Sequence, residues 1–296
     1  SCPETGHPVG LMFGNTKFNA TDFSAATGTS NFAFQRSYST RGIDWSYDKA
    51  LDAVPRPFGT GHAGPLSVEW WHNYISVVTV APPYRNVRLP GGKLLAFKGC
   101  TAPCANELAP YSASSLDELE TTTTGYVLRR HSGEYLVFEG GSGFAYEEPK
   151  QFFLTKILNE TGATTTEIIY DTPIEAINPD GGARLCMTGE TVSADGGANH
   201  VPFIKEIRTA SSTLRFGYAR LPRCDMARNE CVIRSVNMVN PEDGGLLSPP
   251  LAEYTYVLDG GVETSGRIAS VAYPDRTETY AYTPSDFTHM IGGTVV

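Results

Sequence analysis

Apolar and polar residues alternate with period two along much of this chain. The pattern is first clear in Phe32-Ala33-Phe34-Gln35-Arg36-Ser37-Tyr38, and it returns in Tyr126-Val127-Leu128-Arg129-Arg130 and Glu134-Tyr135-Leu136-Val137-Phe138. The last two runs are separated only by His131-Ser132-Gly133, which predicts a hairpin. Similar runs follow at Glu167-Ile168-Ile169-Tyr170, Thr213-Leu214-Arg215-Phe216-Gly217-Tyr218, Glu253-Tyr254-Thr255-Tyr256-Val257-Leu258 and Thr277-Glu278-Thr279-Tyr280-Ala281-Tyr282. All are short and bounded by Gly, Pro, Asn or Asp. A helical spacing is found only from Ser112 to Glu120, where a capping serine, Ser114 or Ser115, before Leu116 and Leu119 predicts one or two turns. The expected fold is therefore all-β: an antiparallel β-strip of stacked hairpins.

An irregular repeat runs through the second half. Its first strand reads Leu154-Thr155-Lys156-Ile157, then Ile204-Lys205-Glu206-Ile207, Ile233-Arg234-Ser235-Val236 and Arg267-Ile268-Ala269-Ser270-Val271, and its second strand ends on Tyr170, Tyr218, Tyr256 and Tyr282. Because the spacing between those tyrosines shrinks along the chain, the loops vary while the unit persists. One strand pair cannot bury its own apolar face, so successive units must stack into a continuous sheet. This predicts two regions, 1–150 with its own hairpins and 151–296 built of the repeats.

Composition fits such a fold. Gly and Pro number 30 and 20 in 296 residues, only 19% of residues are charged and 41% are apolar, a turn-rich chain able to bury a core. The net charge of −9 leaves no basic footprint for nucleic acid. The longest apolar run, Ser76-Val77-Val78-Thr79-Val80-Ala81, is far too short for a membrane-spanning helix.

Six cysteines, Cys2, Cys100, Cys104, Cys186, Cys224 and Cys231, suit complete pairing. The two close pairs predict local disulfides Cys100–Cys104 and Cys224–Cys231, which leaves Cys2 with Cys186. Six cysteines allow 15 connectivities, and sequence does not select among them. A zinc site would need two short knuckles, and only one pair has that spacing. Disulfides place the chain in an oxidising compartment, secreted to the extracellular space or the periplasm. Asn19-Ala20-Thr21 and Asn159-Glu160-Thr161 have the form of glycosylation sequons, triplets that are common by chance.

At its start the chain carries Gly6-His7-Pro8-Val9-Gly10, Gly14-Asn15-Thr16-Lys17 and Thr21-Asp22-Phe23, then Phe34-Gln35-Arg36-Ser37-Tyr38-Ser39-Thr40 and Trp45-Ser46-Tyr47-Asp48. Toward its end come Gly266-Arg267-Ile268-Ala269-Ser270-Val271-Ala272-Tyr273-Pro274-Asp275, Tyr280-Ala281-Tyr282 and Asp286-Phe287-Thr288-His289-Met290-Ile291-Gly292-Gly293. In order and spread these resemble the RHS/YD-repeat family over nearly the whole chain. Two departures stand out: Gly42-Ile43-Asp44 precedes the tryptophan, and Arg276 stands where the family has Gly after Pro-Asp. The resemblance implies a strip that coils into a hollow, cocoon-like shell around a C-terminal toxin or effector, with this chain as the opening of the strip. The family's core-associated signature and Asp-based self-cleavage site do not occur before Val296. The implied partners are the remainder of the same polypeptide or a co-assembled β-strip, and free strand edges favour self-association.

Little else points to catalysis. There is no Gly-x-Ser-x-Gly elbow; Gly141-Ser142-Gly143 reads as a turn. The six histidines are scattered with no His-Glu-x-x-His pair. The acidic pairs Asp117-Glu118, Glu147-Glu148 and Glu242-Asp243 are sequence neighbours, whose side chains point to opposite faces of a strand, whereas a glycosidase needs two facing carboxylates. Asp180-Gly181-Gly182 and Asp195-Gly196-Gly197 lack the lysine and helix of a phosphate loop. Trp70, Trp71, Tyr74 and Tyr84 form the densest aromatic patch, core if buried and a glycan- or cell-surface-binding face if exposed. The expected function is a non-catalytic shell segment with no cofactor; a binding β module is the alternative and a glycoside hydrolase-like enzyme the third reading.

Overall fold

The computed structural model describes residues 9–10, 15–27, 30–39, 70–81, 84–89, 94–99, 107–110, 116–139, 151–171, 174–177, 183–186, 191–192, 198–199, 203–223, 226–259, 262–282 and 290–295. Every regular element among them is a β-strand. Strands β1 (Val9–Gly10), β2 (Asn15–Thr27), β3 (Ser30–Ser39) and β4 (Trp70–His72) form one antiparallel sheet in sequence order. Next come β5 (Val77–Ala81), β6 (Tyr84–Arg88), β7 (Leu94–Gly99), β8 (Glu107–Pro110), β9 (Glu118–Thr121), β10 (Gly125–Arg129), β11 (Tyr135–Glu139) and β12 (Gln151–Leu158). Each pairs with the next, and β12 returns to β5 through Gln151 opposite Thr79 and Phe153 opposite Val77. Val78, Val87, Phe97, Leu119, Leu128, Leu136, Phe138 and Leu154 of this circuit are buried in the common core.

The C-terminal half of β12 takes a different neighbour, β13 (Thr164–Asp171), and from there the sheet runs on. It continues through β18 (Phe203–Thr209), β19 (Thr213–Arg223), β20 (Met226–Met238), β21 (Ala252–Asp259), β22 (Val262–Ala272), β23 (Thr277–Tyr282) and β24 (Met290–Val295). Between them lie a hairpin, β14 (Ile174–Ile177) with β15 (Ala183–Cys186), and a separate pair, β16 (Thr191–Val192) with β17 (Ala198–Asn199). Strand β14 also joins β19 in parallel at Ala176 opposite Tyr218. The whole is thus an all-β sheet of many hairpins that is not closed into a single barrel.

A β-bulge recurs at one place in this sheet. Val137 faces Lys156 while Phe138 faces Leu154, which leaves Thr155 as an extra residue. The same shift makes Lys205 extra beside Ile169 and Tyr170, Arg234 beside Gly217 and Tyr218, Ala269 beside Thr255 and Tyr256, and Ile291 beside Ala281 and Tyr282. Each bulge lies opposite an aromatic residue of the hairpin's second strand: Phe138, Tyr170, Tyr218, Tyr256 or Tyr282. An extra residue breaks strict alternation, so apolar residues three apart share a face: Ile204 with Ile207, Ile233 with Val236 and Ile268 with Val271 are buried in the core, and Leu154 is joined there by a partly buried Ile157 packed against it. A bulge also bends its strand and adds right-handed twist, and bulges in one row curve the strip in one sense.

The sequence reading needs one correction. The described part of the expected helical window is an exposed Leu116, a buried Asp117 and strand β9. Leu119 sits in the ladder between Leu108 and Leu128, and Asp117 accepts the His131 amide at 2.8 Å, so ladder pairing overrides the helical spacing.

Candidate functional site

The most distinctive chemistry lies where the N-terminal sheet packs on the strip. In the β2–β3 hairpin, Thr21 faces Gln35 and Phe23 faces Phe34, so Asp22 is an extra residue. This lets neighbours in sequence serve one face: Phe23 stacks on Phe34 at 5.8 Å, and Asp22 meets Arg36. Arg36 Nε donates to both Asp22 carboxylate oxygens, at 2.6 and 2.8 Å, and both side chains are fully buried.

The strip completes the shell around this pair. Arg36 Nη2 donates to the hydroxyls of Tyr273 at 3.0 Å and Tyr280 at 2.9 Å, and it lies 3.2 Å from Glu278 Oε2. The tyrosines pass the interaction on: Tyr273 donates to Asp22 at 2.6 Å, Tyr254 donates to the other Asp22 oxygen, and Tyr280 donates to Glu278 at 2.7 Å. The guanidinium carbon lies 5.5 Å from the Tyr280 ring centroid and 5.8 Å from that of Tyr254, within cation–π range. Glu278 has a second cation in Arg276, 3.6 Å away, whose guanidinium stacks 4.0 Å above the Tyr273 ring. Arg276, the departure from the expected Gly, is therefore part of the cluster.

Electrostatics follow from burial. Removal from water disfavours the Arg36 cation, but the Asp22 carboxylate and the surrounding phenols outweigh that and hold its pKa well above the ordinary value. Burial likewise pushes the Tyr254, Tyr273 and Tyr280 phenols up, which keeps them neutral. Beside them Phe34 and His72 pack on Phe216 of β19, at 5.5 and 6.1 Å. Burial drives the His72 pKa down to about 3, so the imidazole is neutral, and its Nδ1 accepts the Tyr74 amide at 3.3 Å. Neutral phenols and a permanently charged, carboxylate-bound arginine make an anchoring cluster rather than a proton-transfer site.

The repeat tyrosines form a second series. Tyr170 donates its hydroxyl to the Leu154 carbonyl at 2.7 Å, Tyr218 to that of Ile204 at 2.7 Å and Tyr256 to that of Ile233 at 2.5 Å. Ladder pairing within these hairpins begins at Lys156, Glu206 and Ser235, two residues beyond each of those carbonyls. Where the two strands diverge, the phenol thus spans the gap, and the buried carbonyl keeps a donor.

Other sequence-predicted residues are placed as follows. Tyr74 is buried and donates to the Ala33 carbonyl at 3.0 Å, and Tyr84 is half-buried at the start of β6. Trp70 and Trp71 lie in β4, with side chains outside the described residues. Cys186 lies in β15 and Cys231 in β20, again without described side chains, and Cys2, Cys100, Cys104 and Cys224 lie outside the described residues. So do His7, His62, His200, His289, the Gly141-Ser142-Gly143 turn and both Asp-Gly-Gly segments. Among the described residues no group of three His, Cys, Asp or Glu is placed to hold a metal ion. Among the described residues no helix is long and apolar enough to cross a membrane.

This all-β strip with its recurrent bulge defines an RHS-like fold. Among solved structures the chain is similar to TcdB2-TccC3, with a TM-score of 0.52 and 11% identity over 95% of this chain. It spans only 16% of that structure's chain. The N-terminal domain of the effector protein SpvB from Salmonella typhimurium strain LT2 overlaps 92% of this chain and 96% of its own at 13% identity, with a TM-score of 0.44. No protein-family model and no curated protein matches the sequence.

Proposed function

We propose that this chain is a non-catalytic wall segment of a secreted, RHS-like β-sheet shell whose larger polypeptide encloses or presents a toxin or effector. The observation that carries this reading is the bulge repeated opposite an aromatic residue in successive hairpins, which curves a continuous strip. The overlap with TcdB2-TccC3 over 95% of the chain supports the same architecture. Residues 1–150 supply the N-terminal region and residues 151–296 the repeats. The chain's partners are then the remainder of its own polypeptide or a co-assembled strip, joined through free strand edges. Disulfides Cys100–Cys104, Cys224–Cys231 and Cys2–Cys186 suit a location outside the cytoplasm. Immunoblotting of the native protein from its source tests the reading: a band far above 32.0 kDa is expected. A band at the mass of this chain alone would overturn it.

A further inference from the structure

We propose that Tyr254, Tyr273, Tyr280 and Glu278 form a guanidinium-binding site on the face of the strip that packs against the N-terminal hairpin, and that Arg36 of that hairpin is its ligand in cis. The four side chains lie between positions 254 and 280, on β21, at the turn after β22 and on β23, whereas Arg36 is 237 residues from Tyr273 and 244 from Tyr280. Docking of the β2–β3 hairpin is thus a recognition event between two separately built surfaces.

The site matches a guanidinium in shape and in hydrogen bonding. Its hydroxyl oxygens at Tyr273 and Tyr280 accept from one guanidinium nitrogen, while the Tyr280 and Tyr254 ring centroids lie 5.5 and 5.8 Å from the guanidinium carbon. The Glu278 carboxylate supplies charge at 3.2 Å and is itself held by the Tyr280 hydroxyl. The guanidinium presents Nε to Asp22 and Nη2 to the strip at the same time, a planar fork that a lysine ammonium, a compact point charge, does not reproduce. Asp22 travels with the arginine, and Tyr254 and Tyr273 donate to it, so the strip recognises an arginine already paired with an aspartate. This face of the strip therefore selects an arginine-bearing strand, and this holds whether or not the chain belongs to a shell.

Chemical rescue of Arg36→Ala tests the site. Millimolar N-ethylguanidinium, which restores the missing group, should raise the melting temperature of the variant by several degrees and leave wild type within a degree. Ethylammonium and urea at the same concentration should leave both proteins within a degree of their unsupplemented values. No rescue of a folded variant, or equal rescue by ethylammonium, would overturn the proposal. Should Arg36→Ala fail to fold, Tyr280→Phe and Glu278→Gln serve through hydrogen exchange. The amides of β2 and β3 should then exchange at least 10-fold faster than in wild type while those of β18–β20 keep their protection. Uniform acceleration across the molecule, or unchanged β2–β3 rates, would count against a discrete site.

Discussion

The β10–β11 and β18–β19 hairpins share a plan and differ in how far the ladder runs and in one hydroxyl. In each, the second strand carries a buried aromatic residue that faces a bulge in the next strand: Phe138 opposite Leu154 and Tyr218 opposite Ile233. In β10–β11 the ladder is continuous from Arg129 opposite Tyr135 to Gly125 opposite Glu139, so it runs past the aromatic residue. In β18–β19 it spans only Arg208 opposite Thr213 to Glu206 opposite Arg215 before the strands part. A closed ladder satisfies its own carbonyls, and phenylalanine suffices. A diverging one does not, and there the residue is tyrosine, with its hydroxyl on the Ile204 carbonyl. The repeat tyrosines are thus hydrogen-bond donors at the places where curvature opens the sheet.

Removal of those donors is the strongest way to break the comparison. Each of Tyr170→Phe, Tyr218→Phe and Tyr256→Phe leaves a buried carbonyl without its phenol and should cost about 1–1.5 kcal/mol. The triple variant should lose about 4 kcal/mol if the sites act independently, measured by urea unfolding. A triple variant as stable as wild type would mean that the hydroxyls are incidental to the fold. On the other side of the comparison, Gly125 allows the closed ladder, since a Cβ there would lie 2.0 Å from the Phe138 carbonyl oxygen and 3.0 Å from Phe152 Cδ1. Gly125→Ala should cost about 3 kcal/mol through overpacking against backbone. At Gly162, where φ is +80° but no atom lies within 4 Å of the added Cβ, Ala should cost only about 1–2 kcal/mol.

Much of this was legible as pattern and little of it as contact. Alternation identified the strands, and the four-residue units Ile204-Lys205-Glu206-Ile207 and Ile233-Arg234-Ser235-Val236 carried a further signal in plain view. Apolar residues three apart cannot share a face of a regular strand, so the spacing itself marks the bulge. A similar signal was present at the anchoring cluster: Arg36 lies on the period-two face of Phe32, Phe34 and Tyr38, and a charge on an apolar face calls for a buried partner. The resemblance to a family drew attention to Asp22, Arg36, Tyr273 and Tyr280 without assigning them a common place. Their convergence depends on the path of the strip over more than 200 residues, which no local pattern encodes. Glu278 looked like one polar residue in an alternating strand, and the helical spacing at Leu116 and Leu119 misled because strand pairing decided that segment.

Proton linkage gives a sharper probe of the same contrast. Burial pushes the Tyr170 and Tyr218 phenols above the ordinary value of 10.0, and the Tyr170 charge, were it formed, would raise that of Tyr218 further. The native state therefore keeps protons that the unfolded chain releases above pH 10, so this stability is present below pH 10 and is lost as pH rises. For the two phenols together the loss at pH 11 is about 2–3 kcal/mol relative to neutral pH. Melting temperature followed from pH 9 to 11 should fall less steeply in Tyr170→Phe/Tyr218→Phe than in wild type, with the other buried tyrosines supplying the residual slope. Parallel curves for the two proteins would place the alkaline sensitivity elsewhere, in the tyrosines around Arg36.

The reverse exchange, Phe138→Tyr, carries a small expected effect and is the most discriminating. In the strip each tyrosine reaches the carbonyl of the residue across from its own predecessor. The corresponding residue for position 138 is Val127, which faces Val137 inside the continuous ladder, and the nearby Gly125 carbonyl already accepts the Thr122 amide at 2.9 Å. A hydroxyl added at this fully buried position gains no waiting acceptor and should cost about 1–2 kcal/mol. If Phe138→Tyr instead stabilised the protein, with protection from hydrogen exchange increased at Val127, the ladder of β10–β11 would have an acceptor to spare. The choice between phenylalanine and tyrosine would then follow side-chain packing rather than the divergence of the strands.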